Sequence, residues 1–590
     1  MSEISFLPVT LPECRKLGWE ELDIIIVTGD AYVDHPAFGA AIIGRYLTAN
    51  GFQVGIIPQP DWRSDEDFLK LGKPRLFFGV TAGNLDSMVN HYTAQRKIRS
   101  DDAYSPDGKA GLRPDRATIV YTQKLKRLFK GVPIILGGIE ASLRRIPHYD
   151  FWSDKIRNSV LPDSKADLIV YGMAEKTILK AAGCLAEEQP ISTLAELPGT
   201  VSMTNELPQD AFLLPDYEQV QDKDVFLQMT RLFQENYQQK ALYQKTGLRY
   251  IRHNPPGNPL TQKELDRIYN LRFARKPHPI YKNKKIPAFE QIRNSITSHR
   301  GCFGGCNFCA LSVHQGKYIQ SRSISSILAE LRELTKQNYF RGSVSDIGGP
   351  SANMYGIECL NINCRRRSCL VPDICPELDT SHKDYLRLLA QASAVSGINQ
   401  VYVASGVRSD LALENREFIE RLVKKHTGGR LKLAPEHKSE KVLKLMNKAS
   451  FQSYERFLQV FGNLCRVNGL HYSVIPYIMV GHPGTTIEDA VELASYLKEN
   501  NLRVEKVQEF TPTPMTISSC MYYTECDFPE GKKIHIPTGR EIRLQKAIVQ
   551  WFMPENRKYV IEILRKAGKN YLLSFFLEQE PKKGSKRLRQ

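Results

Sequence analysis

The sequence predicts an α/β protein: an open, Rossmann-like α/β domain, then a partial (β/α)6 barrel of the TIM type, then a helical extension. Three observations carry this. Short continuous apolar runs ending in glycine recur through the first 200 residues, six strand-like segments alternate with helical stretches from residue 293 onward, and the strand signal stops after Pro512. With 590 residues and 42% hydrophobic content, the chain can bury several cores, so more than one domain is expected.

From Asp23 the stretch DIIIVTGDAYVDHPAFGAAIIGRYLTANGFQVGIIPQPDW reads as an apolar strand, a loop, an amphipathic helix ending at Gly51, and a second apolar strand. LFFGVTAGN, VPIILGGIE and ADLIVYGMAE add three more buried-strand patterns, each ending in glycine and polar residues. Residues 1–200 are therefore an N-terminal α/β domain with ligand-competent loops where the strands end. Residues 201–286 are poorer in strand signal. They contain NPPGNPL and the basic, proline-interrupted LRFARKPHPIYKNKK, and predict helices followed by a connection. The barrel spans 287–512, with candidate strands RNSITS, GSVSDI, QVYVAS, RLKLA, YSVIPYIMVG and VEKVQEF. Between the first two, SISSILAELRELTKQN places Ile324, Ile327, Leu328, Leu331 and Leu334 at helical spacing. A cysteine-rich insertion occupies 355–380. Residues 513–590 read as a helical extension, REIRLQKAIVQWF being its clearest helix, with a basic tail from Pro581 to Gln590.

Met1 to Trp19 shows no basic segment followed by an apolar run, and no stretch of about 18 apolar residues could span a bilayer, so cytoplasmic residence without a membrane partner is expected. The net charge of +17 is compatible with a nucleic-acid partner, although outside Leu271–Lys285 and the tail the basic residues are dispersed as on an ordinary solvated surface. Of twelve cysteines, seven fall between Cys302 and Cys375. In a reducing compartment such clustering points to metal ligands rather than disulfides.

RGCFGGCNFCAL sets Cys302, Cys306 and Cys309 in a C-x3-C-x2-C loop directly after the first barrel strand. Barrel active sites gather at that end of the strands. Three thiolates can hold three irons of a [4Fe–4S] cube and leave the fourth iron open to a ligand. The alternatives are a zinc site completed by His299 or His314, or a chance cluster. The later strands end in residues suited to binding. SVSDIGGPSANMYG offers Gly348 and Gly349, where backbone can approach a ligand. ASGVRSD offers Ser405, Arg408 and Asp410, APEHKSE offers Glu436 and His437, and GHPGTT makes a turn on the same rim. A second group, Cys359, Cys364, Cys369 and Cys375, places four thiols in 17 residues of the insertion. It can close around an auxiliary [4Fe–4S] cluster or zinc, or remain as free, redox-active thiols.

The C-x3-C-x2-C spacing, with Phe308 before the third cysteine, resembles the signature of the radical S-adenosylmethionine (SAM) superfamily. NPPGNPLTQKELDRIY, CNFCALSVHQGKYIQSRS, DIGGPSANMYG, SCLVPDICPELDTSH, SGVRSDLA, LKLAPEH and QEFTPTPMTISSCMYYT together resemble its YgiQ family over nearly the whole chain. The resemblance implies a barrel of radical SAM type. It also implies a [4Fe–4S] cluster on Cys302, Cys306 and Cys309, with SAM chelated at the open iron and cleaved to a 5′-deoxyadenosyl radical acting on an unassigned substrate. Phe308, Gly348, Gly349, Ser405, Arg408 and Glu436 are the residues expected around SAM, and a one-electron reductant such as flavodoxin or ferredoxin is the implied partner. The N-terminal domain is similar to cobalamin-binding domains of related enzymes, which carry D-x-H-x-x-G. Here YVDHPAFG sets Asp34 beside His35, with three residues before Gly39. The departure weighs against cobalamin and above all against a histidine-ligated form, leaving base-off binding open; otherwise Asp34 and His35 cap a βα loop. RNA modification is a compatible role, and the alternative of another class is a non-enzymatic nucleic-acid-binding protein with structural metal sites.

Overall fold

The computed structural model describes residues 6–359, 361 and 364–578; the basic tail Pro581 to Gln590 lies outside them. Five parallel strands form one side of the N-terminal sheet, out to its edge: β1 Ile24–Thr28, β2 Val54–Pro58, β3 Phe77–Thr81, β4 Ile134–Leu136 and β5 Leu168–Val170. Their order is β2-β1-β3-β4-β5. Both faces are covered, which is why the strands read as unbroken apolar runs. Ile24 and Ile26 enter one core with Leu47 of α1 (Gly39–Ala49) and Ile178 of α3 (Glu175–Ala186). Ile25 and Val27 enter the opposite core with Tyr121 and Leu125 of α2 (Ala117–Leu128).

Residues 200–253 correct the expectation of a helical connection. They hold one long helix, α4 (Lys223–Asn236), but four strands extend the sheet past β5: β6 Thr200–Thr204, β7 Phe212–Leu214, β8 Leu242–Thr246 and β9 Arg249–His253. β6 runs antiparallel to β5, β9 to β6 and β8 to β9, while β7 lies parallel to β8 at the edge. The two strands nearest β5 alternate apolar with charged or hydroxyl residues, as in TVSMT and RYIRH. A sheet margin with one wet face has that pattern, and it lacks the apolar runs that reveal β1 to β5.

The barrel comes next as six parallel segments in sequence order. β10 (Ser295–Thr297) pairs with β12 (Asp346–Gly348), and β11 (Ser343–Val344), the preceding piece of the same strand, pairs with β13 (Gln400–Val401). A bridge from Val407 to Leu433 joins that strand's continuation to β14 (Arg430–Glu436), followed by β15 (Ser473–Val480) and β16 (Val507–Glu509). Among the described residues no pairing closes β16 onto β10, so the barrel is partial. The extension is helical, as expected. Its Ile517–Thr524 helix packs against α4, and its Gly539–Val549 helix packs on the barrel helix Ile487–Glu499. None of the described helices is long and apolar enough to cross a membrane.

Candidate active site

The three-cysteine loop is a lasso. After β10 the chain pairs His299 and Arg300 antiparallel with Ser321 and Gln320, closing the base of residues 301–319. Gly301 begins the loop at φ +87°, and a Cβ there would stand 2.0 Å from the Tyr318 carbonyl oxygen, so no other residue fits the crossing. The Cys302 N–H donates to the Gly316 carbonyl at 3.1 Å, and Cys309 precedes the short helix α5 (Ala310–Gln315). Three side-chain bonds anchor the loop elsewhere. Asn447 donates to the Gly305 carbonyl (2.7 Å), Asn307 to that of Leu445 (2.8 Å), and Ser368 Oγ to that of Gly304 (2.8 Å).

The thiols share one electrostatic field: Cys302 senses Cys306, and Cys309 senses both. Burial raises the pKa of Cys302 and pushes that of Cys309 up to about 12, so uptake of a metal must displace their protons. The compensating cation is Arg408. Its Nη1 lies 3.8 Å from Cys306 Sγ, while Nε and Nη2 grip Asp410 at 3.1 and 2.5 Å. Lys448 adds positive charge; its Nζ is 3.7 Å from Glu436 Oε1, whose pKa burial raises. No group of three or more His, Cys, Asp or Glu side chains among the described residues is arranged around a single ion. A cube differs from a single ion in that each thiolate takes its own iron. A donor set of three thiols in a glycine-rich loop, facing two cations, suits an anionic cluster of that kind.

The other expected residues have specific places. Phe308 meets His482 edge to face at 6.2 Å, with His482 Nε2 2.7 Å from Ser518 Oγ. Ser405 turns to Asp346, its N–H and Oγ both 3.0 Å from Oδ1. The glycines at 348 and 349 have a packing reason that sequence reading did not reveal. A Cβ on Gly348 would lie 2.0 Å from Ser405 Oγ, and one on Gly349 2.7 Å from the His299 ring. His437 is fully buried, its Nδ1 accepts the Ser439 N–H at 3.0 Å, and burial lowers its pKa to about 4. The two candidate zinc-completing histidines face elsewhere: Ser298 Oγ lies 2.9 Å from His299 Nδ1, and Ser142 Oγ of the N-terminal domain 2.9 Å from His314 Nδ1.

The four-cysteine insertion sits directly on the lasso. The Cys369 N–H donates to the Phe303 carbonyl at 3.0 Å, and Cys369 and Cys375 share a small buried core with Phe303, against which Cys302 and Cys359 pack. Cys369 senses the charges of Cys359, Cys375 and Cys364, in that order after its own burial. Lys317 Nζ donates to the carbonyls of Cys364 and Arg366, the latter at 3.3 Å.

Sequence reading missed the seam between the domains. Arg300 at the lasso base ion-pairs with Glu175 at the start of α3 and donates to Tyr269 Oη at 3.1 Å, all three being buried. Their separation in sequence gives no motif that could have linked them. Asp34 is structural: its carboxylate binds Arg45 of α1 and the Ala274 N–H (2.8 Å). His35 is buried as well, its Nδ1 accepting the Ala37 N–H at 3.1 Å.

Comparison with known proteins matches residues 6–295 to a radical SAM N-terminal model, 296–497 to the radical SAM superfamily and 505–578 to a domain of unknown function. A UPF0313 protein of Geobacter sulfurreducens is 50% identical, with 96% of this chain and 95% of that one covered. The UPF0313 protein YgiQ of Escherichia coli K12 is 43% identical, with 96% and 87% covered. Among solved structures, the radical SAM methyltransferase TsrM of Kitasatospora setae, with cobalamin and a [4Fe–4S] cluster bound, aligns at TM-score 0.51. It is 14% identical, with 85% of this chain and 78% of that one covered, a likeness of fold.

Proposed function

This chain belongs to the UPF0313 (YgiQ) family of radical SAM proteins, and from that membership we propose that it reductively cleaves SAM at a [4Fe–4S] cluster held by Cys302, Cys306 and Cys309. The observation that carries the reading is the lasso itself, three thiols at the carboxyl end of β10 facing the Arg408 guanidinium. When bound, the cluster supplies one electron to the sulfonium, splitting a C–S bond to give methionine and a 5′-deoxyadenosyl radical that takes hydrogen from the substrate. An external one-electron donor of the flavodoxin or ferredoxin type restores that electron.

The protein's own part is to bind and orient. Arg408 holds the thiolates' charge and is itself held by Asp410. Ser405 and Asp346 brace the end of β12, so that the Gly349 backbone presents the rim to SAM. Glu436, kept beside Lys448 at the end of β14, and Phe308 complete the pocket's polar and aromatic sides. The insertion thiols Cys359, Cys364, Cys369 and Cys375 are proposed to hold a second, fully ligated cluster. Two of them are buried, and all four lie in one shared field on the back of the lasso.

The test is anaerobic reconstitution with iron and sulfide, followed by SAM and dithionite. The wild-type protein should form 5′-deoxyadenosine, and SAM should alter the paramagnetic resonance of the reduced cluster. Cys306→Ala should lose both. A loaded, reducible cluster that ignores SAM and yields no deoxyadenosine would instead favour a structural cluster in a non-enzymatic protein.

A further inference from the structure

The cluster chemistry leaves unused a cavity of about 520 Å3 between the two domains. Its position follows from the strand order. In a β2-β1-β3-β4-β5 sheet the connections leave β1 and β3 in opposite directions, and a crevice opens beyond their carboxyl ends. The cavity begins there, at Thr28, which ends β1, and Asp30 beyond it, and at Thr81, which ends β3, and Gly83 beyond it. It passes Gly138 and Gly172 beyond β4 and β5. Its far wall is the barrel's Thr297, His299, Gly349 and Pro350, so it opens onto the face proposed to receive SAM.

The cavity has two parts of different chemistry. A chamber between the domains carries the polar groups, and an apolar slot runs down between the sheet and its helices, past Ile24, Ile26, Phe77, Ile135, Leu47 and Ile178. Asp30, Glu175 and Arg300 are the charged residues of the lining, and Arg300 is already spent on Glu175 and Tyr269. Asp30 is likewise matched by the buried Arg113 behind it, at 2.8 Å, so the lining is close to neutral and offers no unpaired cation to a polyphosphate. Glu175 Oε2 is buried without a hydrogen-bond partner, so the chamber asks for an N–H donor. The occupant is thus one that brings an N–H donor to the chamber, an apolar group to the slot, and little net charge. A cavity of about 300–1,000 Å3 is of cofactor size.

We propose that this cavity is a corrinoid site, with the amide-fringed ring in the interdomain chamber and the nucleotide tail in the slot beneath α1 and α3. A corrinoid meets each requirement: carboxamide N–H groups around the ring, a benzimidazole at the end of the tail, and a single phosphodiester offset by the cobalt centre's charge. The strand-loop histidine takes no part. The wall runs through Val33 and Pro36, while His35 is held by the Ala37 N–H and packs edge to face on Phe289 at 6.3 Å. Binding is therefore base-off and free of His35.

The test uses the full chain, purified anaerobically, incubated with hydroxocobalamin, desalted and read by absorbance. About one corrinoid per chain should remain, and after reduction its paramagnetic spectrum should show the base-off form. Cobinamide, which lacks the nucleotide tail, should bind at least tenfold more weakly. A Cβ at Gly39, on the lining, meets nothing nearer than Asn84 Oδ1 at 4.0 Å, so Gly39→Trp intrudes without a clash at its own backbone. It and Ile178→Trp, each checked for native circular dichroism, should cut retention at least tenfold. Cys306→Ala should bind the corrinoid like wild type, which separates this proposal from the cluster reading. No retention by the wild-type chain, equal affinity for cobinamide, retention indifferent to both tryptophans, or a flavin found in the cavity instead would overturn it.

Discussion

Replacing Arg408 by methionine separates two jobs that one guanidinium does. Arg408 and Asp410 are 9% and 8% exposed and bound through two hydrogen bonds, so losing the cation strands a buried carboxylate. Breaking such a pair costs about 3–5 kcal/mol. For a domain the size of this barrel, at about 2–4 °C per kcal/mol, the melting temperature should fall by about 6–20 °C. The second job is electrostatic. A cation about 4 Å from a thiolate is worth roughly 4 kcal/mol at an effective dielectric of about 20, and Nη1 stands 3.8 Å from Cys306 Sγ. Asp410→Asn added to Arg408→Met removes the stranded charge, so the double variant should regain most of the melting temperature. It should not regain iron, because the cation beside Cys306 is still missing. Anaerobic calorimetry and iron content after desalting read the two effects separately. A single variant that melts with the wild type would refute the first, and a double variant that recovers iron as fully as stability would refute the second.

Gly301→Ala should destabilise by about 2–5 kcal/mol and empty the lasso, since it combines a positive φ with a Cβ 2.0 Å from a carbonyl oxygen. Gly316→Ala, at φ +80° and ψ 175° with nothing within 4 Å, should cost only the backbone strain of that glycine-favouring region, about 1–3 kcal/mol, as urea midpoints of both variants would show. Changing Cys359, Cys364, Cys369 and Cys375 together to serine should remove about half the iron while the SAM-dependent resonance change persists; loss of that response would place the SAM site in the insertion instead. Burial lowers His299, His314, His382 and His437 to about 4 and His148 and His482 to about 3. Between about pH 6.5 and 4 the unfolded chain therefore binds more protons than the folded one. Stability should fall with acidification by up to about 1.4 kcal/mol per pH unit for each such histidine. The urea midpoint of the reduced, metal-free chain at pH 7, 6 and 5 checks this, and a midpoint unchanged or rising toward pH 5 would contradict it.

What was legible in the sequence was whatever repeats at short range. β1 to β5 announce themselves because both faces are buried, and the six barrel segments because each is followed by a helix of matching period. The lasso is legible because its three cysteines lie within eight residues. Residues 200–253 were misread because strands with one wet face carry no apolar run. Gly348 and Gly349 show a subtler limit. A glycine pair at a strand end looks like room for a ligand, and the fold adds a second reason for it, since the space a Cβ would need is filled by Ser405 and His299. The cavity was the least visible feature, for the same reason that makes it a site. Its wall joins Ile24 to Pro350, taking a few residues from each strand end and from a second domain. No spacing along the chain connects Glu175 with Arg300. What brings them together is that β5 and β10 end at one seam, where a pair too buried to stand unpartnered must meet.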